Sequence, residues 1–159
     1  MAGRTARVEG FWRFSLMVYA RPGVADALIR LQDQAGHNVN LILFGLWLGL
    51  CEGVRLDTAG LARAVAAIAG IDGGVVTPLR RLRRGLRSDP ASDVQDLRRR
   101  VLSLELAAER GVQARLAASA GRRHSRSGDL DLVKANLRLI LGSDFGSEAA
   151  AMFLKSACR

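Results

Sequence analysis

Histidine and cysteine are nearly absent from this chain, with two of each in 159 residues. His37 and His124 fall in neither a His-x-x-x-His nor a Glu-x-x-His pattern, so no metal site is expected. Cys51 and Cys158 lack metal-type spacing, and the chain reads as a thiol-bearing cytoplasmic protein. Proline occurs three times and never inside a long apolar pattern, which leaves helices uninterrupted. Aromatics make up 5% of the residues, so aliphatic and alanine side chains must fill most of the core. No segment alternates with period two over a useful length, which excludes a sheet-based fold. The N-terminal stretch carries no apolar h-region and no 18-residue apolar span follows, so neither a signal peptide nor a transmembrane segment is expected. No catalytic or cofactor motif is visible, and the sequence leans away from an enzyme and toward no cofactor.

What the chain does have is one unbroken run of eleven apolar or glycine residues, Leu41 to Cys51. That length is too short for a bilayer and reads as a helix buried in a helical core. Other helices are expected at about 8–20, 22–35, 57–70, 77–88, 93–120, 130–141 and 148–157. Pro22 opens the second, Gly36 ends it, and Asn38 caps the central rod. Asp57 and Asp129 are further caps, Thr77-Pro78 reads as a cap with proline at the first position, and Ser92 with Gln95 as a capping box. Ile71-Asp72-Gly73-Gly74 reads as a loop. In the longest helix Val94, Leu97, Val101, Leu104, Ala108 and Val112 form the inward stripe. The expected fold is all-α: a single-domain bundle of about seven to eight helices around the central apolar one.

Three features bear on function. Gly45, Gly49 and Gly53 lie four apart on one face of the rod; close packing of a helix from the same chain explains them, and a homodimer through Gly45 and Gly49 is the alternative. Gln32, Asp33, His37, Asn38 and Asn40 form the densest polar cluster beside apolar sequence, with Asp33 directed toward the following helix. A hydrogen-bonded clamp on the 36–38 turn accounts for it; a small-molecule or enzyme pocket with Asp33 and His37 as acid–base groups is the sharper reading.

The third feature is charge. The formal charge is +9, and 22 of the 24 basic residues are arginine, a ratio that GC-rich coding produces without any nucleic-acid partner. The excess is nonetheless local: residues 54–127 hold fifteen basic and seven acidic groups, against a net +1 before them and zero after. Arg80, Arg81, Arg83, Arg84 and Arg87 alternate with Leu79, Leu82 and Leu86 on a basic amphipathic helix, and Arg98, Arg99 and Arg100 extend the patch, as do Arg122, Arg123 and Arg126 in the loop Gly121 to Gly128. A solvated face with local ion pairs, aided by Asp89, Asp93 and Asp96, is one account. The favoured functional account is an adaptor meeting an acidic protein or a nucleic acid, although no aromatic interleaves to stack bases.

One resemblance is present. Residues 11–50 carry Phe11, Trp12, Phe14 and Ser15, then Tyr19 with Pro22, Gly23 and Val24, then Leu31, Gln32 and Asp33, then Val39 and Asn40, then Leu46, Trp47 and Leu48. This pattern resembles a family of small proteobacterial proteins of unknown function. The resemblance implies no activity; it marks the N-terminal three-helix unit as the defining part and leaves the basic middle third outside it.

Overall fold

The computed structural model describes residues 2–121 and 128–158. Eight helices follow in order: α1 Ala2–Tyr19, α2 Val24–Ala35, α3 Val39–Trp47, α4 Thr58–Ile71, α5 Thr77–Gly85, α6 Ser92–Ser119, α7 Leu130–Leu141 and α8 Glu148–Ala157. There is no strand among the described residues, so the fold is all-α. The arginines Arg122, Arg123 and Arg126 and His124 lie outside the described residues.

α3 is the centre of the core. Every residue from Ile42 to Leu48 is buried, and Phe44 and Trp47 pack on Phe11 of α1 with ring centroids 5.8 and 5.0 Å away. Asn38 caps α3 by accepting the Leu41 N–H at 3.2 Å, and Asp57 caps α4 through the Gly60 N–H at 2.6 Å. Gly36 ends α2 at φ 73°, where a side chain would be strained. Past Trp47 the rod widens into a π-helical turn, Leu48–Glu52, which Gly53 closes at φ 61°.

The glycine stripe faces α7 of the same chain, which corrects the homodimer alternative: the surface through Gly45 and Gly49 is already covered. A Cβ on Gly45 would meet the tip of Ile140 at 2.5 Å, whereas one on Gly49 would meet the Val133 backbone nitrogen and Cα at 2.8 and 2.9 Å. A side-chain tip can swing away; a backbone cannot. Gly49→Ala should therefore cost about 1–3 kcal/mol through forced separation of α3 and α7. Gly45→Ala should be milder, because alanine's better helix propensity, about 1 kcal/mol, offsets the crowding. Thermal melts of the two variants check this order, and equal melting temperatures would refute it.

Several local expectations need correction. α1 begins at Ala2, well before residue 8. Pro22 lies outside α2, whose N-cap is Gly23 at φ 83°. Residues 71–74 are not a loop: α4 runs through a π-helical turn, Asp72–Val76, straight into α5. There the Thr77 N–H bonds to Asp72 O, five residues back. That wider spacing, next to Gly73 and Gly74, lets the Pro78 ring continue the helix instead of clashing with the carbonyl four residues earlier. The resulting rod, Thr58–Ser88, is long and apolar enough to cross a membrane by length and composition, with 17% of its apolar window buried. The expectation of no such span treated the two glycines as a break; a single helix of this kind does not by itself place the chain in a bilayer.

The capping box at Ser92 and Gln95 also fails to form. The N-cap is Ala91, and the Gln95 side chain reaches back to donate to Leu86 O at 3.2 Å and to Asp89 O. The inward face of α6 is rotated from the one expected. Leu97 and Leu104 are exposed, while Val101, Glu105, Val112, Gln113 and Leu116 are buried. A glutamate takes the place read for a leucine, and the reason lies across the cleft described next.

Candidate functional site: a charged cleft along α6

α6 is the floor of the site, and two helices run antiparallel to it. On one side Arg7 of α1 donates to Ala120 O at 3.3 Å, Glu9 pairs with Arg110 at 2.8 Å, and the Arg110 guanidinium lies over the Trp12 ring. On the other, α5 is clamped by ion pairs. Arg83 meets Glu105 at 2.5 Å, and Arg80 bridges Glu105 at 3.2 Å and Glu109 at 2.7 Å. Between α1 and α5 lies a cleft of about 920 Å³, completed by Ile29, Gln32 and Asp33 of α2 and by Val39, Asn40 and Leu43 of α3. That volume is within the range of organic-ligand sites, roughly 300–1,000 Å³.

Five arginines line the cleft: Arg80, Arg83, Arg84, Arg87 and Arg98. Three are engaged. Arg80 and Arg83 neutralise Glu105 and Glu109, and Arg84 pairs with Asp33 at 3.0 Å. Arg87 and Arg98 have no ion-pair partner among the described residues, so the surplus positive charge gathers at the end of the cleft near the start of α6. Arg81, Arg99 and Arg100 are exposed and do not line it; Arg99 pairs with Asp96. The continuous arginine face expected over 79–100 is therefore split into ion-paired, cleft-facing and outward groups. Of the three aspartates expected to offset it, Asp96 does so, whereas Asp89 accepts the Ala91 N–H. The offset comes mainly from Glu105 and Glu109.

The carboxylates respond to these partners in different directions. Burial pushes the Glu105 carboxyl up, but the hydrogen bond and charge of Arg83, then those of Arg80, outweigh it and hold Glu105 below the ordinary range. For Glu109 burial dominates over Arg80, and its carboxyl is raised. The hydrogen bond from Gln32, then that from Arg84, lowers Asp33. Burial and then the nearby Glu109 charge raise the Tyr19 phenol on the α1 wall.

Three polar atoms at this site are buried without a hydrogen-bond partner among the described residues: Ser15 Oγ, Arg98 Nε and Gln113 Oε1. All three belong to residues that line the cleft. Ser15 and Gln113 are each 4% exposed, and leaving such groups unpaired costs about 1–3 kcal/mol each.

The polar cluster read near residues 32–40 does not act as one unit. Gln32 donates to Asp33 at 3.0 Å, and Asp33 points outward to Arg84 instead of into the next helix. His37 meets Asp144 at 2.9 Å, Asn38 is the cap, and Asn40 accepts from Gln113 at 2.9 Å. Asp33 and His37 thus hold different partners, and the acid–base pair imagined for them is absent. His37 and Asn38 edge a small polar hollow of about 180 Å³ that shares Gln32, Asn40 and Arg80 with the cleft. Among the described residues no group of three or more His, Cys, Asp or Glu side chains could hold a metal ion.

Residues 10–116 match the family described as a protein of unknown function (DUF2390). The chain belongs to that family. No curated protein and no solved structure matches it. The DUF2390 region reaches well beyond the first third to which the sequence pattern was confined, and takes in the basic segment. Every cleft residue, from Trp12 to Gln113, falls inside it, whereas α7 and α8 lie beyond its end. Trp12, Ser15, Glu105, Glu109 and Gln113 were not picked out as site residues by sequence. Glu105 and Gln113 interrupt an otherwise apolar helical stripe, and that interruption was the available signal.

Proposed function

We propose that this DUF2390 protein is a binding protein that holds a small, partly apolar anion in the cleft along α6. The observation that carries the reading is that Ser15 Oγ, Arg98 Nε and Gln113 Oε1, buried and without hydrogen-bond partners among the described residues, belong to residues lining one cavity. Buried polar groups normally have partners, and a bound molecule would supply them. The two uncompensated arginines favour an anion, and the exposed aliphatic side chains at the mouth favour an apolar portion. A cytoplasmic setting is part of the proposal, supported by the scarcity of cysteine, with two in 159 residues.

The adaptor reading is weaker on these grounds. Arg80, Arg83 and Arg84 are engaged within the chain and Arg99 pairs with Asp96, which leaves Arg81 and Arg100 as the outward cations of this stretch without an ion pair among the described residues. Native mass spectrometry of protein captured from its own cells separates the two. The cleft reading expects an added mass of small-molecule size that is lost in Arg98→Ala and kept in Arg81→Ala with Arg100→Ala. Retention of nucleic acid or protein at low salt, lost in Arg81→Ala with Arg100→Ala and kept in Arg98→Ala, would replace it with the adaptor reading.

A further inference from the structure

The polar groups of the cleft are sorted by type along its length. Arg80 meets Glu109, Arg83 meets Glu105, and Gln95 reaches Leu86, so α5 and α6 are in antiparallel register. Arg87 and Arg98 consequently share one end, where positive charge is uncompensated. Gln113 sits fifteen residues after Arg98, about 22 Å farther along the helix axis. The Glu9–Arg110 and Arg110–Trp12 contacts set α1 antiparallel to α6, so Ser15, about one turn past Trp12, lies nearer Gln113 than Arg98, on the side of that far end. Its chemistry is neutral. Gln113 already donates its Nε2 to Asn40, so its Oε1 can only accept, whereas the Ser15 hydroxyl can donate or accept.

The stretch between the ends is electrically balanced, with two guanidiniums facing two carboxylates. Its mouth is apolar. Leu16, Ile29, Leu102 and Leu106 all line the cleft and are each between 40% and 53% exposed. Large aliphatic side chains gathered on a cavity rim are covered when an apolar chain lies across them.

Building on the binding reading above, we propose that the ligand class is an elongated amphiphilic acid. Its carboxylate or phosphate lies at Arg87 and Arg98, its aliphatic chain crosses Leu102 and Leu106, and a hydroxyl or N–H at its other end donates to Gln113 Oε1 beside Ser15. An ω-hydroxylated medium-chain acid has this pattern. A simple fatty acid has the first two features and lacks the third.

Calorimetric titration of the whole chain with laurate, ω-hydroxylaurate, lauryl alcohol and lauryl phosphate tests the assignment. ω-Hydroxylaurate should bind about tenfold more tightly than laurate, because it satisfies a buried acceptor that laurate leaves bare. Lauryl alcohol should bind at least about tenfold more weakly than laurate for want of charge-assisted hydrogen bonds. The ratio of laurate to lauryl phosphate identifies the head group. Arg87→Ala with Arg98→Ala should bring laurate to the level of the alcohol. Ser15→Ala should reduce the advantage of ω-hydroxylaurate while leaving laurate unchanged, a pattern that loss of folding cannot imitate. Equal binding of alcohol and acid, or no gain from the hydroxyl, overturns the proposal. If no probe binds but cell-captured protein carries a small molecule that Arg98→Ala releases, the ligand class is wrong and the cleft reading survives. If no probe binds and the captured chain is bare, both fall.

Discussion

Asn136→Asp should leave little folded protein at neutral pH. Asn136 is fully buried on α7 and makes three hydrogen bonds. Its Oδ1 accepts the Leu56 N–H at 2.7 Å, and its Nδ2 donates to Gly45 O at 3.2 Å and to Val54 O at 3.0 Å. One side chain therefore ties α7 to the central rod and to the chain leaving it. Aspartate keeps the acceptor and turns the donor into a second oxygen facing two carbonyls. A buried carboxylate without a cation costs several kcal/mol, comparable with a whole stability of about 5–15 kcal/mol. Protonation restores one donor, so the folded-state pKa of Asp at this position is raised. Its stabilising form exists below the ordinary carboxylate range and is lost as pH rises through the raised value. Circular dichroism should find the variant more folded in mild acid than at neutral pH. Asn136→Leu removes the hydrogen bonds without adding charge, and should cost roughly 2–4 kcal/mol independently of pH. If Asn136→Asp melts with the natural chain at neutral pH, the tether is not structural.

Asn136 also marks where sequence reasoning stops. Features set by a few neighbouring residues were legible: Asn38, Asp57 and Asp129 cap their helices, Gly36 ends α2, and the apolar run at Leu41 is the core rod. The role of the glycine stripe was also legible, because a buried helix carrying glycines needs a close neighbour. What was hidden depends on partners far along the chain. Asn136 reads as the polar side of an amphipathic helix until Leu56, eighty residues earlier, arrives to donate to it. The polar cluster looked like one site because its members are close in sequence. Asn40 in fact answers to Gln113, His37 to Asp144 and Asp33 to Arg84.

The same limit governs the cleft. Its two candidate surfaces, the arginines near residue 80 and the polar residues near 33, were read as rivals. Folding makes them walls of one cavity, joined by Arg84 and Asp33. No periodicity within a single helix announces that junction. Nor could the register of α6 be taken from hydrophobicity. Leu104 and Glu105 are adjacent, and the apolar residue is the natural inward choice until two arginines are known to face the other one.

Glu105→Ala should be the other severely destabilising change. Glu105 is 3% exposed and accepts from Arg80 Nε at 3.2 Å and from Arg83 Nε and Nη2 at 2.5 and 3.2 Å. Removing it strands Arg83 and leaves Arg80 with Glu109 alone. Breaking a buried pair costs about 3–5 kcal/mol. Because the two arginine side chains keep 21% and 23% exposure, water recovers part of this, and the lower end applies. At about 2–4 °C per kcal/mol for a chain of this size, the melting temperature should fall by roughly 6–12 °C. Glu105→Leu combined with Arg83→Met should recover much of the loss, since an apolar pair replaces a charged one. The pH dependence follows from the directions of the two shifts. Glu105 is lowered, so its contribution is complete above the ordinary carboxylate range and disappears as pH falls through its lowered folded-state value. The gap between natural chain and Glu105→Ala should close only in that acid window. Glu109 is raised, so its ionised form opposes folding at neutral pH and the penalty is relieved by its protonation above the ordinary range. Glu109→Gln keeps an acceptor for Arg80 and should melt at or slightly above the natural chain at neutral pH. It also frees the charge of Arg80 inside the cleft, so it should tighten binding of an anion there while leaving a neutral alcohol unaffected. A large loss of stability in Glu109→Gln, matching Glu105→Ala, would mean that both carboxylates clamp α5 equally and that only one of them has been assigned its proper direction.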